Sequence, residues 1–259
     1  MQALSVIITT YNESTNIREA MASVQWADEI IVVDSYSTDG TPDVAEKLGA
    51  KVYERSYSGP ADQKNWAIPK ARNEWVLLLD ADERLTDKLT EEIKSLLSGP
   101  EIDQDCYWIP RQNYFLGKRV RYSGWQGDTV IRLIRRDACR YDEKQVHEEI
   151  ETKGLRVGKL KHKLLHYTFK DSGQYLDKIR RYGEWSALDH FEKTPRVTYY
   201  HLFIKPLYRF FKHFVIQRGF LDGRVGFIVS TIMAWGVFLR YLRIIELRKR
   251  DQPEDDVMG

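Results

Sequence analysis

The sequence predicts an α/β fold, a mostly parallel sheet covered by helices on both faces, followed by a basic and apolar helical region at the C-terminus. Three observations carry this. Short, near-continuous apolar runs (LSVIITT, EIIVVD, WVLLLD) recur in the first hundred residues, as strands buried on both faces require. Segments with helical spacing separate them, so strand and helix alternate. The longest uncharged apolar run, residues 225–239, lies in a fifty-residue stretch, 201–250, that carries 10 basic and 2 acidic side chains.

The elements follow in order. Residues 4–10 form a β-branched first strand, and residues 14–25 a helix that Ser14 is placed to cap. EIIVVD is the second strand, and the turn STDGTP leads into a helix over 43–48, with Asp39 and Gly40 as turn residues. AKVYE is a third strand, 61–71 a helix, WVLLLD a fourth strand and 87–97 a helix. From Cys106 the alternation stops. CYWIPRQNYF, TVIRLIRR and KLLHYTF predict strands of a less regular extension, and a helix carrying Tyr175, Ile179, Tyr182 and Trp185 follows.

With 259 residues, 42% of them hydrophobic, the chain buries a large core, which excludes disorder and a disulfide-stapled scaffold. The two cysteines, Cys106 and Cys139, are expected to be reduced, half-buried thiols in a cytosolic protein. The start, MQALSVIITTYNE, has no basic n-region or cleavage site and is expected to be a strand rather than an export signal. The formal net charge of +2 conceals a split: residues 1–200 carry 30 basic and 32 acidic groups, whereas the tail 251–259 carries 4 acids and no base.

In a parallel sheet, ligands sit at the carboxyl ends of the strands, here TTYNE, VVDSYSTDG and LLLDADE. Asp80 and Asp82 project to one side at the end of the fourth strand and offer hard oxygen donors suited to Mg²⁺ or Mn²⁺. Solvated carboxylates capping the next helix are the alternative. Asp34 ends the second strand as a candidate acceptor for a base or ribose. The sequence has neither GxGxxG nor GxxxxGK[ST], so phosphate must be held another way, by a metal on the DAD pair with help from Lys64 or Arg72.

TTYNE, VVDSYSTDGT, QKNWA and LLLDADE, in this order and spacing, resemble the family-2 glycosyltransferases, whose fold is the Rossmann-type GT-A fold. GWQGDTVIRLIRR, QVHEE and FFKHFVIQRGFLDGRVGF resemble the bacterial subgroup that includes lipopolysaccharide core glucosyltransferases. The resemblance implies that Thr9, Tyr11 and Glu13 border a nucleoside pocket, that Asp34 contacts uracil or ribose and that Lys64 lies near the base or diphosphate. It implies that Asp80 faces the ribose and metal and that Asp82 is the principal metal ligand. Family members often carry DDGS after the second strand, and this chain has DSYS. Asp128 matches the family's base position, with Glu83 and Glu148 as alternatives. A site beside Trp125 would raise its pKa toward useful basicity. His147 is a candidate third metal ligand or acceptor wall, Glu148 belongs with it, and Arg132, Arg135 and Arg136 are candidate clamps for an anionic substrate.

Leu207, Phe210, Phe211, Phe214 and Val215 follow i, i+3, i+4, i+7, i+8, with Arg209, Lys212 and His213 largely on the other side. Such a basic amphipathic helix lies in the interface of an anionic membrane. Fifteen apolar residues bounded by Arg224 and Arg240 fall short of the ~20 of a perpendicular span, so attachment without crossing is expected. The aromatics sit in apolar stripes, which disfavours nucleic-acid binding. The expected organisation is a catalytic domain over 1–198, with a nucleotide-sugar half (1–100) and an acceptor half (101–198), membrane-associating helices over 199–250, and an acidic tail. The expected function is metal-dependent inverting transfer of a hexose from a nucleotide sugar, UDP-linked, to a lipid-linked or lipopolysaccharide-core acceptor at the inner face of the cell membrane. The rivals are a sugar nucleotidyltransferase and a non-catalytic nucleotide-sugar-binding adaptor.

Overall fold

The computed structural model describes residues 1–100, 102–142, 149–168 and 172–250. In chain order the strands are β1 (Leu4–Thr10), β2 (Glu29–Asp34), β3 (Lys51–Glu54), β4 (Trp75–Asp80), β5 (Glu83–Leu85), β6 (Cys106–Phe115), β7 (Lys118–Arg119), β8 (Thr129–Arg135), β9 (Val157–Lys159) and β10 (Leu164–Tyr167). The α-helices are α1 (Asn16–Ala22), α2 (Thr41–Lys47), α3 (Pro60–Ala67), α4 (Asp87–Leu97), α5 (Ser172–Phe191), α6 (Lys205–Phe211) and α7 (Arg224–Arg250). The chain forms two units, Met1–Tyr114 with Gly127–Thr168, and Phe115–Gln126 with Phe169–Gly259.

The first unit is the α/β body. Its main sheet runs β3-β2-β1-β4-β8-β6-β10-β5. The pairs β2/β3, β1/β2 and β1/β4 are parallel, and β8 enters antiparallel to both β4 and β6. Successive strand residues point to opposite faces, so each apolar strand feeds two cores. Val6, Ile8, Leu77 and Leu79 pack with Ile17 and Met21 of α1 and with Leu89, Ile93 and Leu97 of α4. Ile7, Ile31, Val33, Val76 and Leu78 pack on the other face with Ala61 and Ala67 of α3. Each fully buried Leu or Ile stabilises by about 1.5–3 kcal/mol, which is why these runs are apolar on both faces. Helix α4 starts at Thr86, whose hydroxyl accepts the Leu89 N–H. Helix α1 starts at Asn16 with no side-chain cap, so the expected Ser14 cap is not made. Instead the Ser14 N–H donates to Asp39.

Register aligns the carboxyl ends. Thr9 lies opposite Asp80 across β1/β4, and Thr10 opposite Asp34 across β1/β2. Both carboxylates therefore leave the sheet on the same edge.

The second unit holds α5, α6 and α7, and Phe115 and Val120 pack with Val225 and Val229 of α7. Asp222 ties residues 115–126 to it, accepting the backbone N–H groups of Arg121 and Tyr122 at 3.0 and 2.9 Å. Helix α6 is flanked by π-helical turns, Tyr200–Ile204 and Lys212–Ile216, each adding a residue to its turn. Helix α7 has 27 residues and contains an 18-residue window of mean hydropathy 1.6, long and apolar enough to cross a membrane by length and composition, with 39% of that window buried. The polarity of the α6 region is the reverse of a solvated basic face: Leu207, Phe211 and Val215 are exposed, whereas His213 is buried and Arg209 half-buried.

Candidate active site

At the end of β4, both oxygens of Asp80 are engaged by groups from three other elements. Thr9 Oγ1 of β1 donates to Oδ1 at 2.9 Å, and Lys64 Nζ of α3 sits 3.2 Å from the same oxygen. Arg132 of β8 donates from Nη2 to Oδ2 at 2.5 Å. That nitrogen also meets Glu83 Oε1 at 2.8 Å, and Arg132 Nη1 donates to the Tyr141 hydroxyl at 3.3 Å. Lys64, Arg132 and Glu83 are buried, so the charges persist only as a mutually compensating set. Burial works against a charged Asp80, but Arg132 and Lys64 outweigh it and hold the carboxyl well below the ordinary value. Burial works against the charge of Arg132 as well, but Asp80 and Glu83 hold it well above the usual guanidinium value. Arg132 thus serves an internal cluster; the sequence offered it as a candidate clamp for an anionic substrate.

The β1 and β2 loops form a second polar group. Asp34, fully buried, accepts both the backbone N–H and the hydroxyl of Ser37 at 2.6 Å. Ser37 Oγ in turn accepts the Asn12 N–H, and Asn12 Oδ1 accepts the Thr38 N–H. Both loops carry non-glycine residues in the left-handed region, Asn12 at φ 53° and Tyr36 at φ 60°. Tyr36 stands where the DDGS turn has glycine. Asp39 accepts from Thr41 and Ser14, as its turn role requires.

The third group surrounds Asp128 and Asp82 with partners that were not legible in the sequence. Arg111, Asn113 and Phe115 share one face of β6, and Leu164 and His166 one face of β10. Arg111 grips Asp128 through Nε and Nη2, both at 2.9 Å, and its Nη1 lies 3.4 Å from Glu83. Asn113 Nδ2 donates to Asp128 Oδ2 at 2.7 Å, so its Oδ1 is an acceptor and receives His166 Nδ1–H at 2.7 Å. His166 Nε2 lies 3.6 Å from Asp82 Oδ2, and in the neutral ring with Nδ1 protonated it would present a lone pair to that side. Burial opposes the charged form of Asp128, yet Arg111 and Asn113 together hold its carboxyl below the ordinary value. This reverses the expectation of a raised pKa beside Trp125, whose ring belongs to the Phe115, Val120, Val225 and Val229 cluster of the second unit. The signal that could have found His166 and Asn113 is a polar residue at an inward position of an alternating strand.

Other expected positions are accounted for. Tyr11 is exposed beside the carboxyl edge, and Glu13 accepts from Asn16 Nδ2 while its N–H donates to Thr41. Arg72 contacts Asp28 and Glu29, at the opposite end of β2, so it does not assist at the carboxyl edge. Arg135 pairs with Glu74, and Arg136 with Asp137. His147 and Glu148 lie outside the described residues. Among the described residues no group of three or more His, Cys, Asp or Glu side chains could hold a metal, so protein ligands there are at most a pair. Cys106 and Cys139 are buried free thiols.

Residues 5–162 match the profile of glycosyl transferase family 2. An uncharacterised glycosyltransferase of Rickettsia conorii is 31% identical over all of this chain and 94% of its own length. The lipopolysaccharide core biosynthesis glycosyltransferase LpsC of Rhizobium meliloti is 29% identical over 97% of this chain and 96% of its own. Among solved structures, glucosyl-3-phosphoglycerate synthase of Mycobacterium tuberculosis, in complex with Mn²⁺, UDP and glucosyl-3-phosphoglycerate, is similar over 44% of each chain, at 22% identity and a TM-score of 0.35. With its strand-end carboxylates on a mostly parallel sheet and a family match covering most of that body, the chain belongs to the family-2 glycosyltransferases.

Proposed function

We propose that this glycosyltransferase transfers a hexose from a nucleotide sugar, with UDP as carrier, to a lipid-linked or lipopolysaccharide-core acceptor at the cytoplasmic face of the membrane, inverting the anomeric centre and using Mn²⁺ or Mg²⁺. The observation that carries this is the division of labour in the DAD motif. Asp80 is neutralised by Lys64 and Arg132, while Asp82 faces a histidine nitrogen at 3.6 Å. Carboxylate oxygen and neutral imidazole are both metal donors, and a cation between them removes the repulsion of two facing lone pairs. Asp82 and His166 would hold the divalent ion, which would supply positive charge to the departing diphosphate. Asn113 fixes the tautomer that makes His166 a donor. Thr9 and Lys64 keep Asp80 ionised and oriented, and Asp34, buried and held to Ser37, orders the β2 loop that would border the nucleoside. Asp128 takes the proton of the acceptor hydroxyl. LpsC, similar over nearly the whole chain, supports an envelope glycan as acceptor. The exposed Leu207, Phe211 and Val215 and the basic 201–250 stretch support attachment to the membrane surface.

Transfer assays with a panel of UDP-hexoses and Mn²⁺ test this reading. Asp82→Ala and His166→Ala are expected to abolish metal-dependent turnover, and Asp128→Asn to abolish transfer while UDP binding by calorimetry persists. Unchanged activity of Asp82→Ala would sink the metal role. Release of pyrophosphate instead of UDP would identify a nucleotidyltransferase.

A further inference from the structure

Lys205 and Arg209 of α6 and His213 of the following π-turn repeat every four residues, and the structure turns Arg209 and His213 inward. Lys205 reaches α7, its Nζ 2.7 Å from the Tyr241 hydroxyl. Arg209 is half-buried one turn further on, near enough to Arg240 of α7 that burial and then the Arg240 charge hold it below the usual arginine range. Among the described residues neither guanidinium has a carboxylate partner. Between residues 205 and 245 the only acid is Asp222, which is taken by the 121–123 backbone and Ser123. Glu246 is taken by Arg243. Nε of Arg209 and Nε of Arg240 are both buried with no hydrogen-bond partner among the described residues. Among the described residues Arg240 meets His190 Nε2 at 3.4 Å, an acceptor because His190 Nδ1–H donates to the Ser186 carbonyl at 2.9 Å.

Two half-buried like charges without a counter-ion are costly, and several other arginines of the chain avoid this arrangement. Arg111, Arg132, Arg135, Arg136 and Arg243 each hold a carboxylate. We propose that Arg209 and Arg240 form a binding site for the phosphate of a lipid headgroup. The planar, multi-donor guanidinium suits phosphate oxygens, and one anion between the two would replace their repulsion with two attractions. Leu207, Tyr208 and Phe211, exposed on the same short helix, give the acyl part of such a lipid an apolar surface. The inference deepens the membrane contact proposed above and names the headgroup chemistry.

The test uses the full chain and a soluble lipid. Dihexanoyl phosphatidic acid below its micelle concentration is expected to raise the thermal unfolding midpoint of the wild type, because a ligand of the folded state stabilises it. Arg209→Gln and Arg240→Gln are each expected to lose that rise, and Lys249→Gln, which removes an exposed charge of the same helix, to keep it. Without lipid, Arg209→Gln is expected to unfold no earlier than the wild type, since it removes a repulsion. Arg209→Lys keeps the fold testable should the neutral variant not fold. An equal rise in both variants, or a lower midpoint of Arg209→Gln without lipid, overturns the site. An equal rise from sodium phosphate overturns the lipid source. Sedimentation with phosphatidic-acid vesicles separates the two readings. Vesicle binding with unchanged variants rejects the site alone. A lipid shift that needs both arginines, without vesicle binding, rejects the membrane reading alone.

Discussion

Tyr36 carries φ 60° at an exposed position of the β2 loop, in the region where an L side chain crowds its own backbone. Asp34 enforces this by taking two hydrogen bonds from Ser37, next along the chain. Tyr36→Gly is therefore expected to raise stability by about 1 kcal/mol in urea denaturation, and a loss of stability would show that the ring contributes packing. Arg111 sets the acid strength of Asp128. Burial favours the protonated acid, and Arg111 with Asn113 overcomes it. In Arg111→Gln burial is left with less opposition, so the Asp128 carboxyl rises and the acid limb of the pH–rate profile moves to higher pH. A limb that stays in place would assign the base elsewhere. The sequence made Asp80 and Asp34 legible because each ends an apolar strand, and Asp82 because it follows Asp80 by two residues. Arg111, Asn113 and His166 carried no such mark, since their partners lie 17, 15 and 53 positions away in the chain.

Among the elements, those that local chemistry determines were the ones legible in advance. β1, β2, β4 and β6 begin and end where their runs predict, as does α4. Strand β5 was not seen: its Glu83 is charged and fully buried, stabilised by Arg132 and Arg111 from remote strands rather than by apolar pattern. The α6 region departed at particular residues. The apolar stripe expected to face a membrane is exposed at Leu207, Phe211 and Val215, but a π-turn adds a residue, so an i, i+4 count slips in phase and His213, expected on the polar side, goes in. The 3₁₀ turn Gly219–Asp222 meets α7 at a close approach: a Cβ on Gly226 would lie 1.8 Å from the Gly219 carbonyl oxygen. Gly226→Ala is expected to cost about 1–3 kcal/mol through overpacking, read as faster proteolysis of the C-terminal unit. Wild-type resistance would show that the turn shifts freely.

For the molecule as a whole, the overall +2 charge is the sum of a near-neutral body, a strongly basic stretch over 201–250 and an acidic tail. Vesicle binding is accordingly expected to weaken as the screening length shrinks from ~10 Å at 0.1 M salt to ~3 Å at 1 M. The apolar residues around Leu207 should leave a salt-resistant remainder, and binding indifferent to salt would exclude the electrostatic part.

Across β4, β8, β5 and β6 the charges alternate in sign: Asp80, Arg132, Glu83, Arg111, Asp128. A diphosphate arriving at the first member competes for Arg132 and Lys64. Glu83, sealed from solvent, must then lean on Arg111, which loosens its hold on Asp128. The proton acceptor would thus gain strength only after the sugar donor is seated, giving the reaction a sense of order without any moving part. Its signature is an acid limb for kcat at higher pH than that for kcat/KM, because the first reports the loaded enzyme and the second the free one. Coincident limbs would mean that each carboxylate answers only to its nearest neighbour.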